Sequence, residues 1–109
     1  MESTALNLGL DFAMEFGENW MRPIQERLSK KHPELSQPEL DQHDLVCRQA
    51  MNFGHNQLVT CWREAQGRQS EAFQLFKKEL QARYTWISDE NLSRLFSQSC
   101  YYAYKDGEI

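Results

Sequence analysis

Residues 38–65 read PELDQHDLVCRQAMNFGHNQLVTCWREA, and the spacing within this stretch sets the fold class for the whole chain. Cys47, Ala50, Met51, Gly54, Leu58, Cys61, Trp62 and Ala65 recur at steps of three and four. That is the period of an α-helix, not the alternation of a strand. Cys47, Gly54 and Cys61 stand at every seventh position, so the face is built largely of small residues. A glycine inside a helix costs about 1 kcal/mol relative to alanine. Gly54 is therefore expected where another helix crosses closely, at or near Gly17. This central helix is expected to open at a capping box, Ser36-Gln37-Pro38-Glu39, and to end at Gln66-Gly67.

Outward from it, Leu6, Leu10, Ala13, Gly17, Trp20, Met21, Ile24 and Leu28 form the stripe of a first helix capped by Ser3 or Thr4. Pro23 lacks an N–H and clashes with the preceding turn, so this helix is expected to kink or split near Gly17–Asn19. It stops before Pro33. Ser70 reads as the cap of a third helix with Phe73, Phe76, Leu80 and Tyr84 on one face. Ser88-Asp89-Glu90 starts a fourth, with Leu92, Leu95, Phe96, Ser99 and Ala103 inward and Gly107 at its end. The expected fold is all-α: a compact four-helix bundle-like domain spanning 1–109.

The chain also repeats itself. Residues 13–19 (AMEFGEN) match 50–56 (AMNFGHN), and the heptad can be written A-M-x-F-G-x-N. A looser match pairs Leu28, Leu35-Ser36 and Leu40 with Leu80, Ile87-Ser88 and Leu92. After one inserted residue it pairs Cys47, Ala50 and Gly54 with Cys100, Ala103 and Gly107. The two matches together point to a duplicated helix–loop–helix hairpin. The competing account is coincidence among amphipathic helices that all need Ala and Leu inward.

A chain of 109 residues suits one domain, and three Trp, four Tyr and six Phe suffice for a real core. The net charge of −4 argues against a broad phosphate-binding surface and fits a basic protein partner. Cys47 and Cys61 would lie about 21 Å apart along one helix, too far to bridge. Three free cysteines, no signal peptide and no apolar run of membrane-spanning length give the expectation of a cytoplasmic protein with no membrane contact.

No phosphate-cradling glycine loop, HExxH or GxSxG is present, so neither a catalytic residue nor a cofactor is assigned. Glu39, His43 and Cys47 form a ladder at i, i+4, i+8, yet a metal centre would need ligands from a second helix, and none is assigned. The simpler account puts His43 on the helix surface and Cys47 in the core, and finds no partner for His32 or His55. Ala50 and Gly54 have the spacing of a helix-turn-helix turn, but Arg63 alone follows on the would-be reading face, so nucleic acid is not the expected partner. What remains is aromatic. Tyr101, Tyr102 and Tyr104 cannot all enter one core from a helix, and Phe16 and Phe53 fall beside the main stripes at matching heptad positions. These five residues are the candidate interaction surface. A non-enzymatic protein-interaction module follows (an adaptor, inhibitor or immunity-type binder), with a homodimer as the means of covering Phe16 and Phe53. A helical ligand- or metal-binding protein, or an unfamiliar enzyme, is the competing class, and a helix-turn-helix DNA-binding regulator, which a contiguous basic face would support, is the third. A buried polar pocket lined by His43 and carboxylates would favour the competing class, and an aromatic patch with an acidic rim the first.

Overall fold

A computed structural model describes residues 1–109. Five α-helices follow one another: α1 (Ser3–Ala13), α2 (Gln25–Lys31), α3 (Gln37–Glu64), α4 (Gln69–Arg83) and α5 (Asp89–Lys105). A single 3₁₀ turn at Gly17–Asn19 lies between α1 and α2, and there is no strand. The fold is all-α, and no helix is long and apolar enough to cross a membrane. The chain divides into two compact units, Met1–Met51 and Asn52–Ile109. The boundary falls inside α3. Its N-terminal half belongs with α1 and α2, and its C-terminal half with α4 and α5.

The split ahead of Pro23 accounts for five helices where four main ones were expected. α1 stops at Ala13, Gly17 (φ +82°) and Met21 (φ +69°) turn the backbone, and helix resumes at Gln25. Arg27 of α2 holds the intervening segment together. It donates to the Phe12 carbonyl (3.1 Å), to Glu15 (2.8 Å) and to the Arg22 carbonyl (3.2 Å). From α3, Asp44 accepts the Ile24 backbone N–H, Asp41 accepts from Gln25, and Arg48 donates to the Arg22 carbonyl. Leu6, Leu10, Ala13, Ile24 and Leu28 are buried as their stripe requires. Met21, placed on that stripe by helical spacing, is 65% exposed because it lies in the non-helical segment.

Two expected caps hold and two do not. Ser36 accepts from the Glu39 N–H (3.3 Å) while Glu39 accepts from the Ser36 N–H (3.0 Å), a closed capping box. Ser88 accepts from the Asn91 N–H at 3.2 Å. Ser70, by contrast, lies inside α4, which begins after an extended Arg68 with no side-chain cap. Ser3 and Thr4 lie in the first turn of α1, behind an uncapping Glu2. At the far ends, Gly67 (φ +77°) and Gly107 (φ +75°) adopt the left-handed stop that closes α3 and α5.

Of the two repeats, the looser one is structural. His32 and Tyr84 leave α2 and α4 with nearly the same backbone, φ −130° ψ 70° and φ −125° ψ 77°. His32 N–H bonds Leu28 O and Tyr84 N–H bonds Leu80 O; Leu35 N–H bonds His32 O and Ile87 N–H bonds Tyr84 O. Ser36 and Ser88 then cap the next helix. The register needs no inserted residue. It pairs buried Leu6, Leu28, Leu40 and Met51 with buried Leu58, Leu80, Leu92 and Ala103. Cys47 therefore corresponds to Ser99, not to Cys100. Each is buried and each donates to a backbone carbonyl, Cys47 to Leu6 (3.3 Å) and Ser99 to Leu95 (2.7 Å). The A-M-x-F-G-x-N heptad fails as a structural repeat. Its first copy is a helix end followed by a turn, and its second lies inside α3.

Gly54 does mark a close approach, but to α5. A Cβ built there would lie 2.7 Å from Leu95 Cδ2. Gly17 is no part of that contact, since it sits in the turn with nothing within 4 Å of such an atom. The first unit has a tight spot of its own at Gly9 of α1, whose Cβ would lie 2.9 Å from Cys47 Sγ and 3.0 Å from Ile24 Cδ1.

Candidate functional site

α5 is the element that displays the candidate tyrosines. Its apolar stripe turns Leu92, Leu95, Phe96, Ser99 and Ala103 inward. Tyr101 and Tyr104, three residues apart, then share the outer face, at 54% and 76% exposure. Tyr102 points elsewhere and is half-buried. Its ring meets Tyr101 edge-on at 5.4 Å and leans on His55 of α3 at 5.2 Å. His55 Nε2 lies 2.9 Å from Oε1 of Gln98, a buried amide of α5; the oxygen accepts, so the ring donates through Nε2. Burial pushes the Tyr102 hydroxyl pKa up, with Tyr101 and Asp106 adding to the shift. Exposed Asp106 and Glu108 follow the last turn.

Burial holds the His55 pKa below the ordinary imidazole value, against the opposing effect of the Gln98 hydrogen bond. The unfolded chain therefore binds this proton more readily than the folded one. Stability from His55 is whole above the ordinary pKa of about 6.5 and is lost as pH falls below it, until folded His55 also protonates. Thermal melts should show a steeper loss below about pH 6.5 in the wild type than in His55→Gln. Parallel melting profiles for the two would refute the assignment.

Phe53 does not emerge as a bare ring. It is half-buried on α3, with the Arg83 guanidinium 4.7 Å from its centroid and Tyr84 at 5.8 Å. Tyr84 in turn meets Trp86 at 6.3 Å. Residues two apart on a helix diverge by about 200°, so this cluster and the His55–Tyr102 contact occupy different sides of α3. Phe16, in the first unit, is 57% exposed at the start of the 3₁₀ turn and meets Trp20 at 5.5 Å. The two phenylalanines thus stand in different local structures despite their matching heptad positions. Helical spacing alone had no means of finding Arg83, Tyr84 and Trp86, because the α4–α5 turn brings them to Phe53.

In the first unit the sequence reading of the histidines is overturned. His43 is 3% exposed, not a surface residue. Its Nδ1 lies 2.7 Å from the Glu39 carbonyl, and its Nε2 is buried with no hydrogen-bond partner in the chain. Its place was legible, since Leu40 and His43 extend the buried stripe of Cys47 one turn back. His32 also has a partner, Glu34, at 2.9 Å. His43 forms part of the wall of a cleft of about 330 Å³ that includes His32, Glu34, Glu39, Gln42 and, ahead of α1, Met1 and Glu2. The His32 hydrogen bond holds the Glu34 carboxyl below the usual carboxylate range, and the Ser36 N–H does the same for Glu39.

The Glu39–His43–Cys47 ladder does not converge: Glu39 closes the capping box, His43 turns to a backbone carbonyl, and Cys47 donates to Leu6. No three His, Cys, Asp or Glu side chains meet as a metal-binding group. All three thiols are free, and burial raises the pKa of Cys47 to about 12 and that of Cys61 to about 11. A second cleft of about 570 Å³ beside α2 brings Arg22, Arg27 and Lys30 together, but Arg27 and Lys30 are already paired with Glu15 and Glu26. Ala50 and Gly54 lie in uninterrupted helix, with no turn between two DNA-reading helices. No protein-family model, no curated protein and no solved structure matches this chain.

Proposed function

We propose that the chain is a non-enzymatic protein-interaction module that docks a basic partner on the tyrosine face of α5. The observation that carries this reading is the pair Tyr101 and Tyr104, one turn apart and more than half exposed. Tyrosine gives large contact area at low entropic cost and keeps a polar tip, which is why it concentrates at interface hot spots. The net charge of −4, with exposed Asp106 and Glu108 following the helix against the one Lys105 beside the tyrosines, favours a basic partner. A second copy of the chain, itself of net charge −4, is the other occupant of the tyrosine face and would be held by the rings and not by charge. Three free thiols are in keeping with a cytoplasmic setting.

The double variant Tyr101→Ser/Tyr104→Ser is expected to keep its helicity and most of its melting temperature, because neither ring is buried and the packing contact given up is the edge of Tyr101 on Tyr102. Capture of the partner from the native host by the tagged chain should fall more than about tenfold, the loss expected from two hot-spot side chains. Light scattering at micromolar concentration separates the homotypic form: a dimer of the wild type that the double variant loses. Undiminished capture together with an unchanged scattering mass would sink the tyrosine surface. The second reading, a small-ligand-binding protein, is favoured by one feature, the His43 cleft with its buried unpaired nitrogen.

A further inference from the structure

We infer that the partner on the tyrosine face is a basic amphipathic α-helix, seated in the groove between α4 and α5 and running along α5 to Tyr104. The inference rests on the tyrosine-face reading above and gives that partner its shape and its anchors. Ser93, Ser97 and Tyr101 follow one another at steps of four, and Tyr104 lies seven residues beyond Ser97. On a helix these positions fall on one face, with neighbours about 5–6 Å apart. All four are exposed. Ser93 and Ser97 line a groove of about 500 Å³ together with Phe96 and, from α4, Gln69, Ser70 and Phe73. Phe73 and Phe96 meet edge-on at 5.1 Å, so the apolar part of the groove is aromatic. The groove thus continues, on the same face of α5, into the exposed tyrosines.

The geometry of this face selects a helix. A row at steps of four is the ridge that a second helix receives between its own ridges, and serines keep the row low enough for the partner's backbone to come near. An added strand would draw its affinity from main-chain hydrogen bonds, and the chain has no strand whose edge could supply them. From Ser93 to Tyr104 is about 16 Å, a length spanned by three helical turns of the partner. Its apolar side chains at i, i+4 and i+7 then meet Phe73 and Phe96 first, and Tyr101 and Tyr104 next. The charges at the ends of the row give the partner its sign. Exposed Glu90 stands three residues ahead of Ser93, and exposed Asp106 and Glu108 follow Tyr104. Against them α5 sets Arg94, which is engaged within the chain, and Lys105. Carboxylates at both ends favour lysine or arginine on the polar flanks of the docked helix.

The test is a titration of the full chain, followed through its amide resonances, with a blocked peptide of about 15 residues. The peptide carries leucine at i, i+4, i+7 and i+11, and lysine or alanine elsewhere. Three controls keep its length: leucines spread around the helix, glutamate for every lysine, and central prolines that forbid the helix. The basic amphipathic peptide should give saturable shifts at Phe73, Ser93, Ser97, Tyr101 and Tyr104, and bind about tenfold tighter than any control. Ser97→Arg, at an exposed position, should leave the melting temperature unchanged and weaken binding about tenfold by placing a like charge in the groove. Tyr101→Ser/Tyr104→Ser should weaken it at least as much. Loss of binding in the tyrosine variant but not in Ser97→Arg overturns the groove and leaves the tyrosine reading standing. Equal binding of the proline form or the spread form overturns the helix, and equal binding of the glutamate form overturns its basic charge. Shifts of the same residues on dilution of the chain alone assign the face to a second copy and overturn the inference. Shifts elsewhere, or none with any peptide, also overturn it, and capture from the native host then judges the tyrosine reading separately.

Discussion

Phe76→Ala is expected to destabilise the protein by about 3–5 kcal/mol, the range for removing a fully buried phenylalanine. Phe76 is the largest side chain in the chain with no exposed surface. Its ring lies edge-on to Phe96 of α5 at 5.4 Å, and Phe96 also takes the edge of Phe73 at 5.1 Å. Truncation removes the transfer free energy of the ring, opens a cavity that α4 and α5 fill only in part, and deletes one aromatic pair. Phe73→Ala is the internal comparison. Phe73 is half-buried on the side of α4 that borders a shallow groove with Gln69, Ser93 and Ser97, so water can enter the space it vacates. Its loss should cost clearly less. Urea denaturation of both variants checks the order, and a Phe76→Ala cost below that of Phe73→Ala would contradict the packing of α4 on α5.

The parts of this fold legible in the sequence are those fixed by local chemistry. Pro23 announces the break, Ser36 and Ser88 announce helix starts through their hydroxyls, and Gly67 and Gly107 announce helix ends because they take positive φ. The caps that went unread belong to α1 and α4, where Glu2 and Arg68 stand at the N-cap with no side-chain hydrogen bond. Ser70, a good capping residue, is bypassed because backbone geometry at Arg68 starts the helix first. Propensity ranks a position; the chain's path decides whether it is used.

The two repeats make the same point at longer range. Seven nearly matching residues, AMEFGEN and AMNFGHN, adopt different structures, because helix continues beyond Asn56 while Gly17 and Met21 take left-handed angles ahead of Pro23. The looser match survives because it records burial and capping, which packing conserves within each unit, and not identity. The candidate sites divide in the same way. Tyr101 and Tyr104 were visible as more aromatics than one helix face can bury. The Arg83–Phe53–Tyr84–Trp86 cluster and the His43 cleft arise from turns that bring distant segments together, which no single periodicity encodes.

Gly54→Leu carries the second large effect, an expected loss of about 1–3 kcal/mol through overpacking. A bare Cβ at this position already comes within 2.7 Å of Leu95 Cδ2 and 2.9 Å of its Cγ. Leu95 has no exposed surface, so its side chain cannot swing into solvent to make room. A leucine at 54 must then shift α3 or α5. Gly17→Ala provides the contrast: nothing lies within 4 Å of the added methyl, and its cost arises from φ +82°, roughly 1–2 kcal/mol of backbone strain. The two mechanisms separate in a double-mutant cycle. Leu95→Ala opens space beside residue 54, so Gly54→Leu should cost much less in that background, whereas Gly17→Ala should cost the same in both. Chemical denaturation of the variants measures each arm. An unchanged cost of Gly54→Leu in the Leu95→Ala background, or a gain in stability from Gly54→Leu alone, would contradict the close crossing of α3 and α5.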